Sequence, residues 1–323
     1  MTKVLVYGWY HQGNIGDDLF IEAFQHLFPN YEFIFTDTIS LSKLTDIDAV
    51  FFGGGSFLSG RPQIDEDAMS ALLLDKKIFY LGVGVENVIH PNHKLLMVNA
   101  QMVATRSPDQ AEILRSFCKK VRIIPDLVYS LQDKIKPALR QSRSVLIMTN
   151  LSVVPDRTDP HWKHASWNYF KSEFTQFLDW LVTNKYHLTF FPMCTGVEID
   201  DRWASSEIVS HMEHRNSKYL HYINPIGIEQ ITQFVSSHKV LITQRFHGIV
   251  LAEMTRTPYI AIHHHDKLKT AQPGEGEFLS YYHSAKQSYI DSFVRAMTMD
   301  FVKSMPIEST IFETFVEEVA SLI

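Results

Sequence analysis

The feature that most constrains this chain is an alternation that runs through it twice. Short runs of β-branched and aromatic residues, KVLVYG, YEFIFTD, AVFFGG, KIFYLGVG and MVATR, are separated by stretches with helical spacing such as DLFIEAFQHLF and AMSALLLD. Strands spaced by helices of this length build βαβ units, and βαβ units build a parallel sheet covered on both faces. Over residues 18–28 the apolar positions Leu19, Phe20, Ala23, Phe24, Leu27 and Phe28 recur at three- and four-residue spacing, and Pro29 follows as a stop. The spacing therefore predicts a helix whose apolar face packs on the sheet. A polar stretch, QDKIKPALRQSRS, then gives way to SVLIM, and the alternation restarts with HLTFFPM, KYLHYI, KVLITQ and PYIAIHHH as strands. Helices are expected over about 166–184, after Asp200, over about 227–236 and at HGIVLAEMT. The expected fold class is α/β with two Rossmann-like domains, 1–135 and 144–300, and a helix over 301–323 packing back on the body. In that last helix Ile311, Phe312, Phe315, Val316, Val319 and Leu322 form the apolar stripe.

Composition narrows the partners. The 30 Lys+Arg against 36 Asp+Glu leave a formal charge of -6 with no basic block, which speaks against nucleic acid. Two distant cysteines, Cys118 and Cys194, support neither a disulfide framework nor a thiolate metal site and suit a reducing compartment. The opening MTKVLVYGWYHQGN lacks the form of a secretory leader, and no apolar run reaches the roughly 18 residues of a membrane span, so a cytoplasmic protein is expected.

Four stretches could bear chemistry. HQGNIGDD, residues 11–18, follows the first strand as a glycine turn into a helix, where unpaired N–H groups and the helix dipole gather anions. A dinucleotide fingerprint fails because His11 stands where its first glycine belongs and Asp17 and Asp18 would repel a pyrophosphate, although Asp37 could mimic the ribose-binding acid. The residues alone fit a tight turn with Asn14 left-handed and Asp17 capping the helix. The glycines of AVFFGGGSFLSG serve either a ligand or close helix packing. Arg106, in MVATRSPDQ, is either a strand-end fork for carboxylate or phosphate or a solvated residue before a helix capped by Ser107 or Asp109. The turn at Pro125 and Asp126 sets a carboxylate near the same edge. In KVLITQRFHGIVLAEMTRTPYIAI a strand ends at Thr243, Arg245 and His247 fall on the turn, and Gly248 opens a helix. A cation, an imidazole and a helix dipole converge there, an arrangement for binding an anion and moving a proton. Asp200 and Asp201 follow another strand end. No metal is expected: the histidines of IHHHDK at 262–267 point to opposite faces of a strand, and HWKH at 161–164 has no third ligand beside it. Trp9, Tyr10, Trp162 and Trp167 suit either sugar stacking or core.

In order, GNIGDD, FFGGGSFL, FYLGVGV, TRSPDQ, PD, FFPM with DD after it, and QRFHGIVLAEMTRTPYIAI with HDK after it resemble the polysaccharide pyruvyl transferase family over nearly the whole chain. The resemblance implies two Rossmann-like domains facing across a cleft, the GT-B-like glycosyltransferase architecture. It also implies transfer of pyruvate from phosphoenolpyruvate onto a hydroxyl pair of a sugar, as a cyclic ketal with release of phosphate, in a cell-surface polysaccharide or its precursor. Phosphoenolpyruvate is then a substrate, and no cofactor or metal is called for. The residues that suit this chemistry are Arg245, Gly248, Arg106 and Lys267 for the donor, with Arg245 and His247 in catalysis and His247 as the general acid. Asn14, Asp17, Asp18, Gly54 and Gly55 suit a hydroxyl-rich acceptor, with Asp17 as base and Asp126 as the second choice. One departure stands out: where members often carry an arginine at the end of the first strand of the second half, this chain has Thr149 and Asn150. The implied partners are phosphoenolpyruvate and a saccharide, which if lipid-linked would bring a cytoplasmic protein to the inner membrane face. Rival readings are a nucleotide-sugar glycosyltransferase of the same architecture and a non-catalytic glycan-binding protein. The sequence names neither the sugar nor an oligomeric state.

Overall fold

The computed structural model describes residues 1–85, 88–135, 138–223, 228–264, 268, 276–299 and 307–323. Chain contacts divide into two compact units, Met1–Asp133 with Ile307–Ile323, and Lys134–Pro306.

The first unit holds a parallel sheet of β1 (Thr2–Tyr7), β2 (Tyr31–Thr36), β3 (Ala49–Gly55), β4 (Lys77–Val83), β5 (Met102–Thr105) and β6 (Val121–Ile123) in the order β2-β1-β3-β4-β5-β6. Helices α1 (Ile15–Leu27), α2 (Glu66–Asp75), α3 (Pro91–Val98) and α4 (Pro108–Arg115) lie between the strands. The central strands are apolar without alternation, as a sheet covered on both faces requires; every residue of β3 is buried. β1 pairs with β3 in register Val4↔Ala49 to Tyr7↔Phe52. The chain leaves β1 toward β2 and returns to β3 on the other side, so the carboxyl ends of β1 and β3 flank a crevice that no crossover covers.

α1 starts earlier than its apolar spacing suggests, because its beginning is set by a cap and not by burial. Asn14, with extended backbone (φ -100), accepts a hydrogen bond from Gly16 N–H. It is therefore neither left-handed nor preceded by an ordinary turn: His11 (φ 60) and Gly13 (φ 75) take the left-handed conformation instead. Leu19, Phe20, Ala23, Phe24 and Leu27 are buried, and each of the large side chains contributes roughly 1.5–3 kcal/mol.

The second unit holds β7 (Ser144–Met148), β8 (His187–Phe190), β9 (Leu220–Tyr222), β10 (Val240–Thr243), β11 (Tyr259–His263) and β12 (Glu277–Ser280), parallel and in the order β12-β11-β10-β7-β8-β9. Its helices are α5 (His161–Thr183), α6 (Asp201–Ser210), α7 (Ile228–Ser237), α8 (Phe246–Met254) and α9 (Lys286–Thr298). Phe170, Phe174 and Phe177 of α5 pack with Tyr289 and Phe293 of α9 over β7, β8 and β10. The order reverses between β7 and β10, which places this unit's crevice at their carboxyl ends.

The polar stretch between the two sets of strands, QDKIKPALRQSRS, begins inside a 3-10 helix, Leu127–Lys134, with Leu131 buried just before it; residues 136–137 lie outside the described residues. The last helix, α10 (Ser309–Leu322), belongs to the first unit. Its buried stripe is Phe312, Phe315 and Val319, narrower than the apolar spacing, and Ile311 is exposed. Glu318 on its other side accepts from Arg122 Nε and Lys120 Nζ, both at 2.9 Å. Among the described residues no helix is long and apolar enough to cross a membrane.

Candidate active site

In the first unit the β1/β3 crevice gathers the GNIGDD turn and the glycines after β3. Asn14 Nδ2 donates to Asp17 Oδ2 at 2.5 Å, and Asp18 Oδ1 accepts from His11 N–H at 2.7 Å, so Asn14 caps the helix and the aspartates tie the turn. The three glycines divide in function. A Cβ on Gly53 would sit 2.5 Å from Phe24 Cζ, and one on Gly54 (φ +72) 2.5 Å from Phe20 Cγ, so both let α1 lie close on β3. A Cβ on Gly55 (φ +88) would sit 2.8 Å from Asp17 Oδ1, so this glycine gives the carboxylate its space. Gly55 also uses its carbonyl to accept from Gly84 N–H at 2.9 Å. Tyr10 lies beneath the turn with its hydroxyl on Gly53 O at 2.5 Å, and its pKa is raised by burial and by the Asp17 and Asp18 charges.

Arg106 departs from both sequence readings. It is neither solvated nor open to a ligand: its side chain is 2 % exposed and its Nη1 donates to Asp126 Oδ2 at 2.8 Å, with Nη2 3.3 Å from Ser56 Oγ. Gly84 leaves room for the guanidinium, because a Cβ there would overlap Nη2. The pair joins the ends of β3, β5 and β6, and Asp126, the second choice for a base, is held in it. Ser107 caps α4 by accepting from Gln110 N–H at 3.3 Å.

In the second unit Arg245, Phe246 and His247 begin α8 directly after β10. Arg245 is the N-cap residue and Gly248 is already inside the helix, donating its N–H to Arg245 O at 3.1 Å. The expectation that Gly248 opens the helix and offers an N–H to the donor is thereby corrected; its role is packing, since a Cβ would overlap Thr243 Oγ1. Arg245 Nε donates to Asp201 Oδ2 at 3.0 Å while Nη2 pairs with Asp201 Oδ1. Asp201 is fully buried and also accepts from Leu151 N–H and Cys194 N–H, each at 3.0 Å. A carboxylate bonded on every side can keep its charge in the interior, and here it fixes the fork of an arginine that keeps 16 % of its own side chain exposed. Asp200 does something else: it caps α6 and pairs with Arg202 at the surface.

Opposite Arg245 at the same crevice, Thr149 shares a hydrogen bond with Ser205 at 2.8 Å, and Asn150 Oδ1 accepts from Ser152 N–H at 3.0 Å. Gln244 Oε1 accepts from Asn150 N–H at 3.0 Å, which ties the ends of β7 and β10 together. Sequence reasoning grouped Asp201 with Asp200 and gave Gln244 no role. The signal that identifies both is the strand order, which makes residues after β7 and β10 neighbours. Lys267, with His265 and Asp266, lies outside the described residues. Among the described residues no group of three potential ligands could hold a metal. Trp167 and Tyr10 are core, whereas Trp162 is 57 % exposed.

Known structures share this fold. MnaA from S. aureus, solved in a UDP co-structure, superposes with a TM-score of 0.65 at 13% identity, covering 100% of this chain and 98% of its own. UDP-GlcNAc 2-epimerase from Methanocaldococcus jannaschii gives 0.64 at 11% identity, with 99% and 100% covered. MurG from Acinetobacter baumannii gives 0.51 at 12%, again with 99% and 100% covered. At such identities the likeness concerns the fold alone, the two Rossmann-like α/β units of GT-B-type enzymes. No curated protein matches the chain. The family described as polysaccharide pyruvyl transferase matches residues 14–266, from the cap of α1 to the segment after β11. The chain belongs to the polysaccharide pyruvyl transferase family, and is therefore a transferase with a saccharide acceptor.

Proposed function

We propose that this chain moves pyruvate from phosphoenolpyruvate onto two hydroxyls of a sugar in a cell-surface polysaccharide or its precursor, forming a cyclic ketal and releasing phosphate. The observation that supports this most is the Arg245 fork. Two of its five N–H donors are committed to Asp201, and Nη1 meets no protein acceptor among the described residues. A guanidinium held this way is aimed before a ligand arrives, which is what recognition of a small dianion needs.

Each step of the chemistry has a candidate residue. Phosphoenolpyruvate gains a proton at its methylene carbon, a sugar hydroxyl attacks the adjacent carbon, phosphate leaves, and a second hydroxyl closes the ketal. His247, in the first turn of α8 two residues after Arg245, is assigned the proton donation, because an imidazolium beside an anionic donor is favoured by its charge. Asp17 and Asp18, with Asn14, are assigned to the sugar hydroxyls, and Asp17 to the removal of a hydroxyl proton. Arg106 and Gly248 have structural partners and drop out of the donor set. The reaction as written routes no step through a metal. A cytoplasmic enzyme, attached peripherally where its acceptor is lipid-linked, fits this assignment.

The test is phosphate release from phosphoenolpyruvate across a panel of saccharides, with the product examined by mass spectrometry for the gain of a pyruvyl ketal. Asp17→Asn and His247→Gln should each lower turnover at least a hundredfold, the scale of a lost acid or base. Wild-type turnover in Asp17→Asn would remove it as the base, and release of phosphate without a ketal product would reject the transfer.

A further inference from the structure

The carboxyl ends of β7 and β10 hold a donor that the chemistry above does not use. Gln244 is 3% exposed, and its backbone N–H donates to Met148 O at 2.9 Å. Its Oε1 accepts from Asn150 N–H at 3.0 Å, which fixes the orientation of the amide. The other half of that amide, Nε2, is buried and has no hydrogen-bond partner among the described residues. An amide NH2 has two donors, and a buried donor left unmade costs about 1–3 kcal/mol. Such groups call for a reason, and a ligand that completes them is one.

The surroundings say what kind of ligand. Asn150 Oδ1 is occupied by Ser152 N–H and Oγ, at 3.0 and 2.8 Å, while Asn150 Nδ2 has no acceptor among the described residues. Arg245 Nη1 is in the same position. Asp201, the carboxylate at this corner, already accepts from Cys194, Leu151 and Arg245. The surplus is therefore made of donors with a positive charge beside them. Such a set favours an oxyanion over a cation, and over a sugar hydroxyl, which would bring donors of its own.

We infer that Gln244 is an oxyanion-binding residue, whose Nε2 joins Asn150 Nδ2 and Arg245 Nη1 on a carboxylate or phosphate settling at the ends of β7 and β10. Because Nε2 is shielded from bulk water, the ligand shifts the amide as it enters, and pairing the amide recovers the cost of the unmade bond. The identity of the ligand as phosphoenolpyruvate rests on the function proposed above; the donor set itself does not.

The test is calorimetric titration of wild type and Gln244→Glu with four probes: phosphoenolpyruvate, pyruvate, inorganic phosphate and UDP. Gln244→Glu keeps the acceptor for Asn150 N–H and puts a carboxylate oxygen where the donor was, so phosphoenolpyruvate should bind at least tenfold more weakly. Gln244→Met, which removes the donor without adding charge, should show a smaller loss and serves if the first variant does not fold. Pyruvate and phosphate report which oxyanion the set receives. Equal affinity in wild type and the folded variants overturns the inference whatever the probe, and so does wild type binding none of the four. Binding of UDP but not phosphoenolpyruvate, weakened by Gln244→Glu, rejects the proposed donor while upholding the role of Gln244.

Discussion

Acid should destabilise the first unit through His93. This ring is fully buried, with Nδ1 3.0 Å from the Tyr80 hydroxyl and with Phe52 and Phe57 around it. Burial, and to a smaller degree the neighbouring His90, pushes its pKa down from 6.5 to about 4. A depressed histidine is neutral in the fold but takes up a proton in the unfolded chain from about pH 6.5 downward. The unfolded state then binds more protons, and stability falls with pH until the folded ring also titrates at about 4. At 1.36 kcal/mol per pH unit, that interval amounts to about 3.4 kcal/mol, of which about 2.5 kcal/mol is lost by pH 4.5. Carboxylates respond to the same acid, so the effect of His93 is isolated as a difference. Urea unfolding of wild type and His93→Leu at pH 7 and pH 4.5, followed by hydrogen exchange of β4 and α3, measures it. His93→Leu should cost roughly 1 kcal/mol at pH 7 for the lost Tyr80 contact. It should then lose about 2–3 kcal/mol less than wild type on acidification. Equal acid losses in the two proteins, or a His93 ring that titrates near 6.5 by NMR, would refute the reasoning.

Two further predictions concern packing and the buried fork. Gly54→Ala puts a methyl 2.5 Å from Phe20 Cγ at φ +72, so it should cost about 2–4 kcal/mol and lower the thermal midpoint; a neutral effect would mean that α1 can move off β3. Asp201→Ala leaves Arg245 without its carboxylate and two N–H groups unpaired, and should cost about 3–5 kcal/mol in unfolding experiments. Asp201→Asn should lose less stability, and unchanged stability in both variants would remove Asp201 as the anchor of Arg245.

Much of this architecture was legible because it depends on local chemistry. The strand runs and the apolar face of α1 follow from spacing within a dozen residues, and the resemblance rested on motifs at strand ends. What escaped depends on partners remote in sequence. Arg245 and Asp201 are 44 positions apart, and Arg106 and Asp126 are 20 apart, so no window contains either pair. Each arginine thus looked like a free cation, whereas one is buried in an ion pair and the other is held by one. Gly248 misled for a related reason. A glycine after a strand suggests a helix start, but here Arg245 is the cap, and the glycine is needed where the helix presses on Thr243. Asn14 rather than Asp17 caps α1, since in GNIGDD both residue types favour that position and only the backbone distinguishes them.

The measurement that tests the central claim most directly is the thermal shift of the protein with phosphoenolpyruvate, beside Arg245→Ala and Arg245→Lys, with nucleotide sugars as comparators. A ligand bound only by the folded state stabilises by mass action, about 2.7 kcal/mol at a hundredfold excess over Kd. Phosphoenolpyruvate should stabilise the wild type, with the shift strongly reduced in Arg245→Lys, which keeps the charge but loses the fork, and absent in Arg245→Ala. No shift at millimolar phosphoenolpyruvate, with a clear shift from a nucleotide sugar, would contradict it.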